Sequence, residues 1–231
     1  MSLGNKAVEA ILTVICFIIS VAIHEFGHAF VADRLGDNTP RRQGRVSLNP
    51  WVHTDILGTI IFPLLGVLST RGGWIGWGKP VMTRPANYTR KLTMTQANLL
   101  VSLAGPFMNL LLAVVVTFIF AAGLKTGLLS LGNAGDSGLD GISRGLGMLV
   151  SLNWGLMMFN LLPIPPLDGG SILEAVLPRR HHHLLAPLRQ PYAFILVLVL
   201  FSASGLAHYW YMPANYLEGI VMRLAATLFG L

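Results

Sequence analysis

The sequence predicts an all-α polytopic membrane protein: a bundle of about five to six transmembrane helices, with a re-entrant segment and short β-strands near its candidate site. Two observations of composition predict it, since 53% of the 231 residues are hydrophobic and only 11% are charged. Soluble domains carry roughly 25% charged residues. A third observation is that no polar stretch reaches the roughly 50 residues that a separate soluble domain needs. Residues 1–231 are therefore predicted to form one integral-membrane domain.

The net charge of +6 comes from basic residues that are scattered through the predicted loops rather than aligned on one face. Such an excess is typical of the cytoplasmic loops of membrane proteins. We therefore expect contact with a lipid bilayer and no nucleic-acid partner. The lone Cys16 excludes an internal disulfide bond.

Residues 7–32 form the first predicted span, and its second half contains the pattern H-E-x-x-H at residues 24–28. Positions four apart lie on nearly the same helix face. His24 and His28 can therefore point two imidazoles at one metal ion, with Glu25 on the flank of that face. Ionisable groups at membrane depth are costly and indicate a functional site. The alternative is a chance match to a short pattern.

The end of this first span is predicted to be cytoplasmic. Gly36 ends the helix, and Arg34, Arg41, Arg42 and Arg45 lie around that end. Clusters of arginine mark the cytoplasmic side of a membrane protein. The N-terminus is then expected outside, and the metal site is expected nearer the cytoplasmic face than the membrane centre.

Shorter segments follow the first span. Residues 44–48 and 74–82 contain Val, Ile and Trp between Gly and Pro, which favours strands. Residues 56–70 are apolar but short for a span, and their flanks are basic on both sides, which favours a re-entrant segment. A kinked, short transmembrane helix is the alternative.

Two more spans are predicted in the middle of the chain. Residues 92–124 carry no charge and form the second full span, in which AGPFMN ends at Asn109. The proline kinks the helix, and an amide at membrane depth commonly bonds to another helix. Residues 125–144 are predicted to form an outer loop, and residues 145–162 form the third full span.

The stretch NLLPIPPLDGG at residues 160–170 ends the third span. Its prolines stop the helix and hold the chain extended, which presents Asp168 on the same membrane side as His24 and His28. Zinc held by two histidines and one carboxylate keeps its fourth position for water, which is a catalytic arrangement. The alternative is that Asp168 only caps a helix that starts near Ser171.

The C-terminal part, residues 190–231, is predicted to contain further helices. Residues 190–211 form the fourth full span, and the aromatic residues 209–211 at its end fit an interfacial belt. Residues 212–231 form either a fifth span or an interfacial helix. Three consecutive histidines at 181–183 are interpreted as part of a basic, solvated loop rather than a metal site.

Three motifs taken together carry a family resemblance. HEFGH in the first span, AGPFMN in a middle span and NLLPIPPLDGG at the end of a later one resemble the site-2 protease family of intramembrane zinc metalloproteases, peptidase family M50. Residues 44–50 and 76–80 fit the same family pattern. The resemblance covers residues 7–170, the expected catalytic core, and implies a minimal form without PDZ or CBS domain.

The resemblance implies a role for each matching residue. His24, His28 and Asp168 would hold one Zn²⁺ per chain, and Glu25 would act as general base on zinc-bound water. The implied reaction is hydrolysis of a peptide bond within or near a transmembrane segment of a membrane-protein substrate, that is, regulated intramembrane proteolysis. The implied location is a prokaryotic cytoplasmic membrane, and regulation by a membrane partner stays open.

Several polar residues receive weaker assignments. By the same resemblance, Asn160 would hold the substrate backbone or the transition-state oxyanion, and Asn109 would lie near the site. His53 is a loop histidine bonded to the backbone, a partner of the site, or a transient ligand, and the first of these is preferred. The strand at 44–48 or 74–82 could hold an unwound substrate by strand addition, or could serve packing alone.

The competing hypothesis is a non-catalytic metal-binding membrane protein or a transporter. Transporters place their sites on several helices with a path to both sides, whereas here the ligands cluster towards one face and Glu25 is not needed for binding. A catalytically inactive scaffold of the same family is a third hypothesis. The intact HExxH pattern and Asp168 argue against it.

Overall fold

The computed structural model describes residues 3–68, 76–129 and 138–231, and most of them are helical. Within these ranges the α-helices are α1 (Leu3–Arg34), α2 (Thr39–Arg42), α3 (Phe62–Leu68), α4 (Met94–Lys125), α5 (Gly138–Asn160), α6 (Asp168–Val176), α7 (Pro191–Ala203) and α8 (Leu206–Phe229). A π-helix, Ile56–Ile61, leads into α3, and short 3-10 turns lie at Pro50–Val52, Pro85–Asn87, Arg179–Leu184 and Pro187–Arg189.

Among the described residues, two helices are long and apolar enough to cross a membrane, namely Gly4–Arg34 within α1 and Met94–Lys125, which is α4. The bent pair Ile195–Phe201 and Leu206–Phe229 makes a third span if it is counted as one. A mostly helical chain with apolar, membrane-crossing helices is therefore confirmed, whereas five to six spans are not. Exposed apolar side chains recur every three or four residues along α1, as on a lipid-facing helix surface: Val8, Ile11, Ile15 and Ile19.

Helix α4 lies at the centre of the fold and packs against α1, α5, α6 and α8. Small side chains such as Ala113 and Ala214 are almost fully buried, which lets helices approach closely. The main core cluster comprises Cys16, Ala113, Val116, Leu149, Val150, Trp154, Met157 and Ala214. This core fixes α1, α4 and α5 relative to one another.

The prediction of β-strands is wrong for the described residues. Residues 44–48 form a turn and bends, and residues 76–82 form neither helix nor strand. The N–H groups of every second residue, Trp77, Lys79 and Val81, bond to other parts of the fold, a spacing typical of an extended chain. Residues 74 and 75 lie outside the described residues. Composition favours strands at both places, but a β-strand also needs a neighbouring strand, and residues distant in sequence decide whether one is present.

The prediction of one full span at residues 190–211 is also wrong. Helix α7 ends at Ala203, and the chain turns by 76° before α8 begins at Leu206. Gly205 has φ = 76°, the left-handed conformation that ends helices and that glycine adopts without strain. The aromatic residues 209–211 therefore lie in the first turns of α8, where the Trp210 indole donates to the Met158 carbonyl of α5 at 2.9 Å.

Two boundaries differ from the predictions. Helix α5 begins at Gly138, so the outer loop predicted at 125–144 is shorter, and its residues 130–137 lie outside the described residues. The apolar helix Ile56–Leu68 is only roughly 20 Å long, which is too short to cross a bilayer. Its assignment as re-entrant stays a prediction, and residues 69 and 70 lie outside the described residues.

Candidate active site

Three potential ligand atoms converge at the inner surface of α1 and α6. The Nε2 atoms of His24 and His28 lie 3.1 Å apart. The Oδ2 atom of Asp168 lies 3.2 Å from His24 Nε2 and 3.3 Å from His28 Nε2. The helical spacing of four residues brings the two imidazoles together, as the sequence predicts. The fold brings Asp168 to them, although it lies 140 residues after His28 in the sequence.

Asp168 reaches this position because the chain reverses tightly after α5. It is the first residue of α6, which packs against α4. Gly169 lies so close to the end of α5 that an added Cβ would overlap the Leu161 and Leu162 carbonyls. Only a residue without a side chain allows α6 to begin this near to α5. Asp168 therefore begins α6, rather than capping a helix near Ser171, and Gly169 and Gly170 are helical residues. The prediction that the prolines hold the chain extended before Asp168 is wrong, because residues 161–167 form turns and bends.

Hydrogen bonds fix the direction in which each imidazole points. His24 Nδ1 lies 2.6 Å from Asn109 Oδ1, and His28 Nδ1 lies 2.7 Å from the Val101 carbonyl oxygen. Both partners are oxygen acceptors, so the Nδ1 atoms carry the hydrogens. The Nε2 atoms therefore present lone pairs to the space that they share with Asp168.

This donor set fits a zinc ion. Two lone-pair nitrogens and a carboxylate oxygen would repel one another at 3.1–3.3 Å unless a cation lay between them. Tetrahedral zinc with ligands at about 2.0–2.1 Å places neighbouring donors roughly 3.3 Å apart. Asp168 Oδ2 is buried and has no hydrogen-bond partner among the described residues. Gly105 of α4 leaves the space open, since a Cβ there would overlap both Nε2 atoms.

Glu25 lies beside this group, outside the three-atom cluster. Its Oε2 atom accepts a hydrogen bond of 2.9 Å from the Val81 N–H. Val81 belongs to the extended segment, residues 76–83, which crosses the side of α1 next to the histidines. The carboxylate is thus held at the flank of the ligand face, where the sequence predicts it.

Comparison with known proteins decides the family. The sequence profile described as "Peptidase family M50" matches residues 12–204. The chain belongs to peptidase family M50. It is a zinc-dependent protease, as predicted from its motifs. Its family and its apolar helices fit a multi-pass membrane protein in bacteria. No solved structure matches the chain significantly.

The relatives of this M50 protease are bacterial proteins named as candidate zinc metalloproteases. YwhC of Bacillus subtilis is 36% identical over 216 residues, which cover 94% of this chain and 91% of YwhC. Rip2 of Mycobacterium tuberculosis is 34% identical over 222 residues, covering 94% of this chain and 78% of Rip2. Rip2 of Mycolicibacterium smegmatis is 34% identical over 208 residues, with coverages of 89% and 72%.

Each of the other predicted polar residues of the M50 protease has a defined hydrogen-bond partner in the structure. Asn109 is fully buried and bonded to His24, an arrangement that favours orienting a ligand over touching a substrate. Asn160 ends α5 and donates to the Leu156 carbonyl of its own helix at 2.9 Å. His53 is buried and bonds through Nε2 to the Ser47 carbonyl at 2.9 Å, as the preferred interpretation of a backbone-bonded loop histidine expects.

Two buried polar residues that bond to the surroundings of the site are not predicted from the sequence. Asn153 of α5 is fully buried and accepts a hydrogen bond of 2.7 Å from the Asn109 amide. Arg45 is buried and donates to the Pro80 carbonyl at 2.7 Å and to the carbonyls of Val52 and Lys79. A polar residue inside an apolar span was the available signal for Asn153. The sequence indicates Arg45 only as one of the arginines around the cytoplasmic end of the first span.

A polar cavity of about 290 Å³ lies beside the ligand cluster. Val101, whose carbonyl holds His28, is part of its wall. Most of the other lining side chains carry hydroxyl, amide or charged groups: Thr83, Tyr88, Thr95, Asn98, Ser102, Ser171, Glu174 and His182. A cavity of this composition can hold water. Among the described residues, Val101 connects its wall to the site, whereas the three potential ligand residues and Glu25 do not line it.

Proposed function

We propose that this M50 protease hydrolyses a peptide bond within or near a transmembrane segment of a membrane-protein substrate. His24, His28 and Asp168 hold the zinc, and Glu25 is the general base. One observation carries the proposal. The Nε2 atoms of His24 and His28, on the membrane-crossing helix α1, and Oδ2 of Asp168, on α6, lie 3.1–3.3 Å from one another. Glu25, a fourth ionisable residue, lies next to them. A protein that only bound zinc would not need that fourth residue.

Each residue has a defined part in the reaction. Bound zinc supplies Lewis acidity, which polarises a peptide carbonyl and makes water a better nucleophile near neutral pH. Glu25 accepts a proton from the attacking water and later delivers it to the departing amine. The Val81 N–H holds the Glu25 carboxylate in place before the substrate arrives. Asn160 remains our proposal for a donor to the developing oxyanion.

A substrate helix must unwind before it can be cut, because its carbonyls are engaged in i→i−4 hydrogen bonds. We propose that the extended segment, residues 76–83, receives the unwound peptide by strand addition. Its N–H groups at Trp77, Lys79 and Val81 bond to α1 and the neighbouring loops. In an extended chain, alternate residues face opposite sides. We propose that the N–H groups of Gly78 and Met82 face the peptide, whereas Pro80 between them has no N–H and its carbonyl accepts from Arg45.

The basic end of α1 indicates which membrane face the site lies near and from which side water reaches it. Arg34, Arg41 and Arg42 lie at this end, and about 9 Å of helix separates His28 from Arg34. Since arginine clusters favour the cytoplasmic side, we propose that the site lies near the cytoplasmic face and that the polar cavity admits water from there. A regulatory membrane partner remains compatible with this arrangement.

The test compares wild type with Glu25→Gln in bacterial membranes. Glu25→Gln should keep about one zinc per chain, because glutamine removes the base without touching the three ligands, and should lower cleavage by about 10²–10⁴-fold. Zinc is counted by elemental mass spectrometry. Cleavage is followed by mass spectrometry of new peptide termini, which should fall within or beside transmembrane segments. Glu9→Gln on the same helix is the matched control and should cleave like wild type.

Three results would contradict parts of this proposal. Retained cleavage in Glu25→Gln would remove Glu25 as the base. New termini found only in soluble domains would exclude an intramembrane substrate. Zinc binding without any cleavage by wild type would favour the alternative, a non-catalytic metal-binding protein or transporter.

A further inference from the structure

A chain of buried amides connects His24 to two other helices. The Asn109 amide nitrogen donates to Asn153 Oδ1 at 2.7 Å and to the Ser20 carbonyl at 3.2 Å. The Asn153 amide nitrogen donates to the Leu149 carbonyl at 2.7 Å and to Ser20 Oγ at 2.8 Å. Ser20, Asn109 and Asn153 each have 0% of their surface exposed. We call these three residues with His24 the amide relay.

The direction of every bond in the amide relay is determined. Main-chain carbonyls can only accept hydrogen bonds, so the Ser20 and Leu149 carbonyls fix which end of each amide is nitrogen. The oxygen of Asn153 must then face Asn109, and the oxygen of Asn109 must face His24 Nδ1. Each amide nitrogen uses both of its hydrogens, so neither amide can flip without leaving a buried polar group unpaired, which costs about 1–3 kcal/mol.

The two histidines are held by different means. His28 Nδ1 bonds to a main-chain carbonyl, that of Val101, whose position is set by α4 itself. His24 Nδ1 bonds to a side chain, that of Asn109, which could rotate if nothing held its other end. The direction of the His24 imidazole therefore depends on what lies behind Asn109.

We propose that Asn153 is a positioning residue for zinc binding: through Asn109, it holds His24 with Nε2 directed at the metal. Asn153 touches neither the zinc nor the substrate, and it acts from α5 on a ligand of α1 across α4. The inference rests on the zinc site of the proposed function. It goes beyond that function because it gives a role to a residue outside the family motifs.

The test measures zinc affinity without any substrate, in detergent-purified full-length protein, by competition with a chelator. Asn153→Leu keeps the number and branching of the side-chain heavy atoms and removes the amide, and it should weaken zinc binding about 10-fold, near the lower end for loss of a residue behind a metal ligand. Thr117→Val is the matched control: Thr117 is equally buried, in α4, and bonds only to its own helix. It should bind zinc like wild type.

A double-mutant cycle separates positioning from a merely structural role. If Asn153 acts through Asn109, Asn153→Leu should weaken zinc binding in the otherwise wild-type protein. In protein that already carries Asn109→Leu, the same substitution should weaken zinc binding little further. A purely structural role would multiply the two losses. Multiplied losses, or unchanged affinity in Asn153→Leu, would overturn the proposal. If Asn153→Leu does not fold, Asn153→Ser, which is too short to reach Asn109, carries the same expectation.

Failure of this inference is distinguishable from failure of the proposed function. His24→Ala should abolish tight zinc binding if the ligand assignment is right. Loss of zinc in His24→Ala with unchanged affinity in Asn153→Leu rejects only the amide relay. Unchanged zinc binding in His24→Ala rejects the ligand set itself, and the amide relay with it.

Discussion

Gly105 brings the main chain of α4 directly against the two histidine ligands. A Cβ at this position would lie 2.6 Å from His24 Nε2 and would also overlap His28 Nε2. Real side chains do not approach so closely, so the space that zinc needs depends on the missing side chain. We expect Gly105→Ala to lose zinc, measured as metal content per chain, while the helical circular dichroism stays close to that of wild type.

The control for this prediction is Gly155→Ala on α5, because no atom lies within 4 Å of the Cβ that it would add. Alanine is favoured over glycine inside a helix by roughly 0.5–1 kcal/mol, so Gly155→Ala should melt at the same or a higher temperature and keep its zinc. Full zinc occupancy in Gly105→Ala would show that the metal lies elsewhere.

Asp37 is a buried carboxylate just beyond the basic end of α1, and it joins two loops. Its oxygens accept hydrogen bonds from the Thr39 main chain and hydroxyl, from the Arg84 N–H and from the Asn87 amide. Burial raises the pKa of Asp37, but these hydrogen bonds outweigh burial and hold the pKa below its ordinary value. The ionised carboxylate therefore stabilises the fold.

This stabilisation has a defined pH dependence. Because the pKa of Asp37 is lower in the folded protein than the unfolded value of about 3.9, its contribution is complete above that pH and is lost as the pH falls through the folded pKa. Asp37→Asn should lower the free energy of unfolding by about 1–3 kcal/mol at pH 7. The difference in melting temperature from wild type, measured on zinc-free protein, should narrow below about pH 4.

A constant difference between wild type and Asp37→Asn from neutral to acid pH would contradict the prediction. Asp55→Asn is the comparison variant, because Asp55 also accepts a main-chain hydrogen bond, from Gly58 at 2.8 Å, but lies outside this pair of loops. Its effect should be smaller, since a single hydrogen bond to a charged group is lost.

Local residues of the site could be predicted from sequence, and residues joined only by the fold could not. His24, Glu25 and His28 follow from helical periodicity within five positions. Asp168 could be predicted only from its expected membrane side and from the family resemblance, because no local rule places it next to α1. Asn153 carries no motif, and its role depends on the packing of three helices, which is a property of tertiary structure.

At the scale of elements, residues 76–83 are the segment whose role is most open to experiment. Met82 is exposed, and its main-chain N–H faces away from α1 if the alternation of the segment holds. Proline has no N–H group. Met82→Pro should therefore raise KM for a membrane-protein substrate by about 10-fold, the loss of one main-chain hydrogen bond of roughly 1 kcal/mol or slightly more, with zinc content unchanged.

Met82→Ala is the control for this prediction, because it shortens the side chain and keeps the N–H group. Equal KM values for Met82→Pro and wild type would remove strand addition from the proposed mechanism. A rise in KM for both variants would assign the effect to the methionine side chain instead.

The helices also show where hydropathy is a sufficient guide. The predicted spans 7–32 and 92–124 agree with α1 and α4, because a long apolar run with few or no charges leaves the backbone no better solution than a helix. Residues 190–211 are equally apolar, yet Gly205 ends the helix within them. Average hydropathy does not register the conformation of one glycine.

At the scale of the whole molecule, α4 separates two surfaces by about 48 Å. We expect Arg90, before α4, to lie in the cytoplasm and Leu128, after it, to lie outside. Both side chains are exposed. In a Cys16→Ser background, Leu128→Cys should react with a membrane-impermeant maleimide in intact spheroplasts, whereas Arg90→Cys should react only after the membrane is opened. The reverse pattern would place the site near the outer face.

The distance along the chain between His28 and Asp168 has a consequence for biosynthesis. A ribosome that has inserted α1 has delivered two histidines but no carboxylate, and about 140 further residues must be synthesised before the third ligand exists. Asp168 also needs α4 in place, because α6 packs on α4 and follows α5 only after the turn at residues 161–167. A nascent chain therefore cannot assemble the proposed three-ligand site before α6 has been synthesised and has packed against α4.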